Sequence, residues 1–383
     1  MFTFNTSAGI IFGEGAAVRI GEIAAERLGR RVLVVTDPGL VRTGLVDPAL
    51  TALAAAGVEA ATFADVEADP PEPVVMAAVA RAIAFGADAV IGLGGGSSLD
   101  VAKLVALLAP GREALKDVYG VGKARGPRLP LMLVPTTSGT GSEVTPISIV
   151  TTGAAEKMGV VSPVLLPDIA LLDPKLTWGL PAPVTAATGV DAMVHAIEAH
   201  ASASANNNPI SRALAKEALR LMIGALERAV KDGGDRAARA DMLLGSMLAG
   251  QAFANSPVAA VHALAYPIGG HFHVPHGLSN ALVLPHVLRF NAVTAAEAYS
   301  EIAVLMFPAL EPLGAQGRAQ GLAEELQALS RRCGLPQRLR DVGIGDHFLP
   351  RLAADAMNQT RLLVNNPRAL TEADALAIYT AAW

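Results

Sequence analysis

The segment ADAVIGLGGGSSLDVAK, residues 87–103, decides the fold class of this chain. It begins with a short apolar run, residues 87–92, of the kind that forms a buried strand. It then passes through glycines into a run whose apolar residues have helical spacing. A strand that leads through a glycine turn into a helix is half of a βαβ unit, so this segment predicts a parallel sheet covered by helices.

The same alternation surrounds this segment on both sides. We predict further buried strands at 31–36 (RVLVVT), 59–64 (EAATFA) and 130–134 (PLMLV), with helices around 16–28, 47–57, 73–85 and 98–108. Strands at 147–151 and 168–172 are expected to extend the same sheet. The first part of the chain is therefore predicted to be an open, doubly wound α/β domain with a mostly parallel sheet.

The pattern changes after Leu180-Pro181. From 182 onward the sequence shows helix-period runs, and we expect prolines to break them at Pro257, Pro267, Pro275, Pro285, Pro308, Pro350 and Pro367. We therefore predict two domains, an α/β domain over 1–181 and an all-helical domain over 182–383, with a cleft between them.

Composition narrows the classes of partner. Apolar runs stay well below the roughly 18 to 20 residues of a membrane-spanning helix, and the N-terminus has no signal-peptide pattern, so we expect a cytoplasmic protein without a membrane partner. The net charge of −5 and the absence of long basic runs argue against nucleic acid and favour a small-molecule ligand. With Cys333 as the single cysteine, any metal must be held by histidines and carboxylates.

Two polar loops are predicted at one edge of the sheet. The run Gly94 to Ser97 follows a strand and opens a helix, an arrangement that binds a pyrophosphate, although a plain turn with Ser97 or Ser98 as N-cap remains the alternative. The segment 135–143, PTTSGTGSE, follows the next strand, and its alternative is a solvated loop. Because parallel sheets bind ligands at their carboxyl edge, we expect a shared cofactor site.

Two other short segments need separate interpretations. Asp37 ends the strand at 31–36, where a carboxylate binds an adenosine ribose and repels a 2′-phosphate, which favours NAD; the alternative is a helix N-cap before Pro38. Gly13-Glu14-Gly15 lacks the third glycine of a dinucleotide fingerprint, because Val18 stands there, and is interpreted as a hairpin-to-helix turn.

The histidines are concentrated in one part of the chain, since seven of the eight lie between His195 and His286. Asp191 and His195 are four residues apart, which stacks them on one helix face. His262 lies in another apolar helical run, and His276 follows Pro275 at the start of the next. Three imidazoles and one carboxylate suit Fe2+, Zn2+ or another divalent ion, whereas the alternative for each histidine alone is a buried core position.

The remaining histidines carry weaker expectations. His286 is interpreted as structural, and His200 as a surface residue or a residue behind the ligands. His271 and His273 either line the active site or lie in a loop.

Taken in order, these motifs resemble the iron-containing (group III) alcohol dehydrogenase family along nearly the whole chain. The likeness rests on GGGSSLDVAK, PTTSGTGSEVT, LLPDIALLDP, PAPVTAATGVDAMVHAIEA and VHALAYPIGGHFHVPHGLSNALVLPHVLRFN. The resemblance implies a dehydroquinate synthase-like architecture, with a dinucleotide-binding domain followed by a helical metal-binding and substrate domain. It also implies a homodimer.

The resemblance also implies roles for particular residues. The implied metal ligands are Asp191, His195, His262 and His276. The implied NAD contacts are Asp37, Gly95, Gly96, Ser97, Asp100, Thr136, Thr137, Thr140, Ser142 and Lys157. The implied reaction is metal-assisted hydride transfer between a small alcohol or aldehyde and NAD, with Fe2+ as the expected ion.

Two departures from the family pattern affect the proton path and the substrate. Tyr266 stands where many members have a histidine near the nicotinamide, and Glu72 stands where many have asparagine. We expect Tyr266 or His271 to take part in catalysis, and Phe253 and Leu362 to form the apolar wall of the substrate pocket.

Other activities remain open within this architecture. A hydroxyacid–oxoacid transhydrogenase-like activity is an alternative that the sequence does not separate from an alcohol dehydrogenase. A dehydroquinate synthase-like lyase needs several cations around a phosphorylated substrate, and the segments around the predicted ligands contain few. The sequence does not distinguish among short alcohols, diols and lactaldehyde-like substrates.

Overall fold

The computed structural model describes residues 1–153 and 156–383, which form two compact units. One unit comprises 5–179, and the other comprises 180–383 together with 1–4. The first four residues were expected in the α/β domain. They belong to the helical unit because Thr3 and Asn206 exchange two hydrogen bonds of 2.9 Å, from the Thr3 N–H to Asn206 Oδ1 and from Asn206 Nδ2 to the Thr3 carbonyl.

The α/β unit alternates strands and helices. Its described strands are β1 (Gly9–Phe12), β2 (Arg31–Val35), β3 (Glu59–Phe63), β4 (Ala89–Gly94), β5 (Gly120–Val121), β6 (Leu131–Pro135), β7 (Ile147–Thr152), β8 (Glu156–Val161) and β9 (Ile169–Leu172). Its described α-helices are α1 (Ile20–Arg27), α2 (Pro38–Arg42), α3 (Asp47–Ala55), α4 (Glu72–Phe85), α5 (Gly96–Leu108) and α6 (Leu115–Val118).

The main sheet has six strands in the order β1-β9-β6-β4-β2-β3, and every neighbouring pair is parallel. The inner strands β4, β6 and β9 are buried along their whole length, with apolar clusters on both faces of the sheet. Burial on both faces explains why these strands are continuous apolar runs in the sequence. The predicted doubly wound parallel sheet is confirmed.

One strand was assigned to the wrong sheet. The segment predicted at 147–151 is β7, which pairs antiparallel with β8 in a separate three-stranded sheet of order β5-β8-β7. Its burial alternates along the strand, whereas that of β9 does not. A strand with one covered face suits a small outer sheet better than the middle of a doubly covered one.

The first strand was also missed, and this changes the interpretation of Gly13-Glu14-Gly15. These residues follow β1, which pairs parallel with β9, so they form a strand-to-helix turn and not part of a hairpin. The Gly15 N–H donates to Asp173 Oδ1 at 2.9 Å, which holds the turn against the end of β9.

Residues 180–383 form an all-helical unit, as predicted. Its α-helices are α7 (Ala182–Ala201), α8 (Pro209–Lys231), α9 (Arg236–Asn255), α10 (Ala260–Phe272), α11 (His276–Met306), α12 (Ala315–Arg332), α13 (Leu349–Ala356), α14 (Thr360–Leu363) and α15 (Glu372–Ala382). Pro267 lies inside α10 and Pro285 inside α11, so the predicted breaks at these prolines are wrong. Both rings are buried, and we attribute the tolerance to packing that offsets the lost backbone hydrogen bond.

None of the helices in the described residues combines the length and the apolar character that are needed to cross a bilayer.

Candidate metal centre and cofactor loops

Helix α7 carries two of the four predicted ligands. Asp191 and His195 are one turn apart and only 2% and 5% exposed. The helix packs closely on its neighbours, since a Cβ at Gly189 would lie 2.4 Å from Leu226 Cδ1. Because the surroundings are apolar, the carboxylate and the imidazole must find their hydrogen-bonding and charged partners in each other and in the adjacent polar groups.

The other two predicted ligands come from α10 and from the first residue of α11. His262 Nε2 lies 3.9 Å and His276 Nε2 3.7 Å from Asp191 Oδ1. The potential ligand atoms of Asp191, His195 and His262 all lie within 4.8 Å of one another. We call Asp191, His195, His262 and His276 the ligand cluster.

A glycine allows α11 to approach this closely. A Cβ at Gly277 would lie 2.3 Å from the Ala187 carbonyl oxygen and 3.2 Å from Asp191 Cβ. Any other residue at 277 would push the start of α11 away from α7, and His276 with it.

The donors and acceptors at the cluster suit a cation. Asn280 Nδ2 lies 2.6 Å from Asp191 Oδ1 and 3.3 Å from Nε2 of both His262 and His276. One amide nitrogen has two hydrogens for these three acceptors, and Asn280 Oδ1 is buried without a hydrogen-bond partner among the described residues. Burial raises the pKa of Asp191, but the three imidazoles and the Asn280 hydrogen bond together outweigh burial and hold the pKa below its usual value. A divalent ion fits this surplus of nitrogen and oxygen acceptors.

Sequence reasoning missed two residues that contact the cluster. Asn280 lies one turn after His276, and Glu198 lies three residues after His195 on α7. Glu198 is 7% exposed, and its Oε2 lies 2.7 Å from His262 Nδ1. Helical spacing from the predicted ligands places both residues on the ligand faces of their helices, but it does not indicate what their side chains contact.

Two of the four residues predicted for catalysis and substrate binding lie at the cluster. The Phe253 ring stacks on His195 with centroids 4.3 Å apart, and the Tyr266 ring lies 5.7 Å from that of His276. His271 instead contacts Asp355, with its Nε2 2.7 Å from Asp355 Oδ2. Leu362 is buried on α14. The roles of these residues stay predictions.

His200 was expected at the surface or behind the ligands, and its surface placement is wrong. Its side chain is fully buried near the end of α7, with Nε2 3.5 Å from Glu301 Oε2. Burial lowers the pKa of His200 to about 4, helped by the neighbouring charge of Arg212.

The two predicted cofactor loops meet at the carboxyl edge of β4 and β6. Helix α5 begins at Gly96 with Gly95 as its N-cap, so the alternative with Ser97 or Ser98 as the cap is wrong. A Cβ at Gly96 would lie 2.6 Å from Thr140 Cγ2, and one at Gly95 would lie 3.7 Å from Thr137 Cγ2. The bare backbone of one loop thus lies against the threonines of the other at a helix N-terminus, where a phosphate group is favoured.

Beneath these loops lies a group of polar side chains, the buried Lys103, Ser142 and Thr145 and the partly buried Asp100, which we call the lysine network. Lys103 Nζ donates to Ser142 Oγ at 2.8 Å, to Thr145 Oγ1 at 3.2 Å and to the Ile147 carbonyl at 2.6 Å. Ser142 Oγ donates to Asp100 Oδ1 at 2.5 Å. Asp100 and Ser142 therefore connect α5 to the threonine loop, and their predicted contact with the cofactor stays a prediction.

Asp37 and Lys157 both have protein partners. Asp37 Oδ1 accepts hydrogen bonds from the N–H groups of Gly39 and Leu40 at 2.8 and 3.0 Å, so Asp37 caps α2. Lys157 Nζ lies 2.7 Å from Asp69 Oδ1 and donates to Thr151 Oγ1 at 2.9 Å. The predicted contacts of both residues with NAD stay predictions.

Comparison with known proteins assigns the family. Residues 7–174 match the model of iron-containing alcohol dehydrogenase, and residues 185–383 match that of the C-terminal part of the Fe-containing alcohol dehydrogenase family. A long-chain-alcohol dehydrogenase 1 of Geobacillus thermodenitrificans is 43% identical over 362 residues, 94% of this chain and 91% of the relative.

Solved structures agree with this assignment. The crystal structure of a 1,3-propanediol oxidoreductase superposes with a TM-score of 0.96 at 36% identity and covers 100% of both chains. A sulfoacetaldehyde reductase from Bifidobacterium kashiwanohense, solved in complex with NAD+, superposes with a TM-score of 0.89 at 28% identity over 100% of this chain and 98% of the other. The ligand cluster, the paired cofactor loops and these matches together show that the chain belongs to the iron-containing alcohol dehydrogenase family.

Proposed function

We propose that this protein is an NAD-dependent alcohol dehydrogenase and aldehyde reductase that requires Fe2+ or another divalent ion. The observation that carries the proposal is the convergence of four side chains from three helices, the buried Asp191, His195 and His262 and the partly exposed His276. Apolar packing alone does not account for three imidazoles and a carboxylate facing one another.

The ligand cluster supplies the electrophilic part of the reaction. When bound, the ion lowers the pKa of an alcohol and polarises an aldehyde carbonyl. Asp191 contributes the negative charge, and Asn280 orients that carboxylate through its 2.6 Å hydrogen bond. Phe253, which stacks on His195, is proposed as an apolar wall against which the carbon chain of the substrate packs, and buried Leu362 as a second wall.

The α/β unit is proposed to hold NAD, the hydride acceptor. Gly95, Gly96 and Ser97 would hold the pyrophosphate at the start of α5, beside Thr136, Thr137 and Thr140. Asp37 would face the adenosine ribose, and Lys157 the nicotinamide side. The relative solved with NAD+ supports this cofactor. The proposed roles are therefore dinucleotide binding for 1–181 and metal and substrate binding for 182–383.

Proton release is assigned to the side chains around His276. Tyr266 lies against the His276 ring and donates a hydrogen bond more readily than it accepts a proton at neutral pH, because a phenol has a pKa near 10. His271 is the alternative, although its Nε2 contacts Asp355.

A homodimer in the cytoplasm completes the proposal. Among the described strands β1 pairs only with β9, and its Ile10 and Phe12 are 38% and 39% exposed. A free strand edge with apolar side chains favours pairing with a second copy.

The proposal is tested with protein that is loaded with Fe2+ under anaerobic conditions. NADH consumption is measured with straight-chain aldehydes of increasing length, and also with 3-hydroxypropanal, lactaldehyde, sulfoacetaldehyde and simple oxoacids. A parallel series uses NADPH. We expect reduction of at least one aldehyde that stops on metal removal and returns on reloading, with NADH preferred. Turnover that is unaffected by metal removal, or no turnover of any aldehyde, would contradict the proposal.

A further inference from the structure

Glu198 is a buried carboxylate that the proposed chemistry does not yet use. It lies on α7 on the same face as Asp191 and His195 and is 7% exposed. An isolated carboxylate at such a position is unfavourable unless several donors satisfy it. Its partners therefore indicate what it does.

Three nitrogen atoms surround this carboxylate. Oε1 accepts from the Val261 N–H at 2.7 Å, and Oε2 accepts from the Ala259 N–H at 3.0 Å. Oε2 also lies 2.7 Å from His262 Nδ1. The two backbone groups are donors under all conditions, so the carboxylate is held in place as an acceptor at the start of α10.

This arrangement determines the tautomer of His262. Because Oε2 is an acceptor, the hydrogen bond to the ring forms only when Nδ1 carries the proton. The lone pair is then on Nε2, the atom that faces Asp191 Oδ1 at 3.9 Å. The 3.3 Å approach of Asn280 Nδ2, a donor, to His262 Nε2 agrees with an unprotonated Nε2.

We infer that Glu198 is a positioning residue for the metal site, because it holds the His262 ring in the one tautomer and orientation that present Nε2 to a metal ion. Carboxylates behind metal-binding histidines raise the basicity of the ligand as well as orienting it. The inference rests on the proposed metal site.

The alternative is that Glu198 only caps α10 through Ala259 and Val261. Glu198→Gln separates the two roles, because an amide cannot accept from all three nitrogens. With its NH2 group at the Oε1 position, the amide opposes the Val261 N–H and still accepts from His262 Nδ1, but it lacks the negative charge that raises the basicity of the ring. With its NH2 group at the Oε2 position, it opposes the Ala259 N–H and selects the wrong tautomer of His262. Either orientation therefore weakens Nε2 as a metal ligand. A cap alone affects stability, whereas positioning also affects metal affinity.

The chain contains a matched control in Asp173. This carboxylate is 2% exposed and accepts from the N–H groups of Gly15, Ala17 and Lys175 at 2.9, 3.0 and 3.0 Å. It lies in the α/β unit, which does not contain His262, and these hydrogen bonds go to the turn after β1 and to the segment after β9. Asp173→Asn therefore disturbs a similar buried carboxylate in the other unit.

The experiment titrates metal-free protein with Zn2+ against a chromophoric chelator and records the visible absorption of the Co2+-loaded form. We expect Glu198→Gln to weaken Zn2+ binding by roughly 10- to 100-fold and to alter the Co2+ spectrum. Asp173→Asn should leave both unchanged, although its melting temperature falls.

Each result decides a separate question. Failure of the unsubstituted protein to bind one ion would refute the proposed metal site itself. Binding by the unsubstituted protein together with equal affinity and an equal spectrum for Glu198→Gln would overturn the positioning role. If Glu198→Gln does not fold, Glu198→Asp, which retains the charge but withdraws it by one methylene, is titrated under the same criteria.

Discussion

The two units each bury a group of polar side chains, and the two groups are built in opposite ways. In the lysine network, Lys103 Nζ has three oxygen atoms within 3.2 Å, which match the three hydrogens of an ammonium. In the ligand cluster, one amide nitrogen is shared by Asp191 and two imidazoles. The three hydrogens of Lys103 have one acceptor each, whereas the two hydrogens of the Asn280 amide face three acceptors.

This difference distinguishes a scaffold from a binding site. A buried network whose donors and acceptors match stabilises the fold. A buried group with more acceptors than donors is unfavourable until a cation binds. A cation therefore gains more free energy by binding to the ligand cluster than to the lysine network. Substitutions in the two groups should therefore have separable effects.

The largest expected effect on folding is at Lys103, which has no exposed surface. Lys103→Met removes the ammonium group that lies 3.5 Å from Asp100 Oδ1 and that donates to Ser142, Thr145 and the Ile147 carbonyl. We expect a loss of about 3 to 5 kcal/mol in the free energy of unfolding, because a buried ion pair loses one partner. Metal affinity should stay unchanged. Urea unfolding of the metal-free protein measures the loss, with the exposed Lys116→Met as control. A loss below about 1 kcal/mol would show that the network is not what supports the threonine loop.

The opposite result is expected for His276, whose side chain is 39% exposed. His276→Ala removes one ligand without opening a deep cavity, so the metal-free protein should lose less than about 1 kcal/mol of stability. Zn2+ affinity should fall at least as much as the roughly 10- to 100-fold that follows loss of a residue behind a ligand. Unchanged affinity would remove His276 from the proposed ligand set.

A smaller effect is expected at Glu143, beside the lysine network. Burial raises the pKa of Glu143 to about 7, opposed by a backbone hydrogen bond and by the charge of Lys103. Between pH 4.5, the ordinary value, and pH 7 the folded protein keeps this proton while the unfolded chain releases it. The free energy of unfolding should therefore fall as pH rises through this range.

Glu143→Gln should abolish this part of the pH dependence. Relative to the parent, we expect the variant to gain on the order of 2 kcal/mol between about pH 5 and pH 8. Urea unfolding at both pH values measures the gain, and the exposed Glu67→Gln should show none. A constant difference between variant and parent would mean that Glu143 does not titrate in this range.

Much of the fold was predictable because a strand that is buried on both faces is a continuous run of apolar residues in the sequence. Strands β4, β6 and β9 lie inside a covered sheet and are apolar throughout, and β2 is apolar after its first residue, Arg31. Strand β7 is half-covered, and the sequence around it does not say which strand it pairs with. Sheet membership depends on residues that are distant along the chain, so the assignment of β7 to the main sheet was wrong.

The candidate site also has a part that the sequence predicts and a part that depends on packing. The i, i+4 spacing of Asp191 and His195 places them together on one helix face, and that much is determined by the sequence alone. Other histidines on the same two helices have different environments. His200 is buried beside Glu301, and His271 pairs with Asp355. Only packing distinguishes them.

What the tertiary structure alone decided is which side chains meet and which groups satisfy them. Gly277 lets α11 approach α7, and Glu198 reaches the start of α10, and neither contact is written in a local pattern. The spacing of apolar residues in the sequence indicates which face of a helix or strand is buried, because the hydrophobic effect favours apolar side chains on the buried face. A hydrogen bond between two elements forms or fails with a difference of a few tenths of an ångström in the donor–acceptor distance, and that distance is set only when the helices have packed.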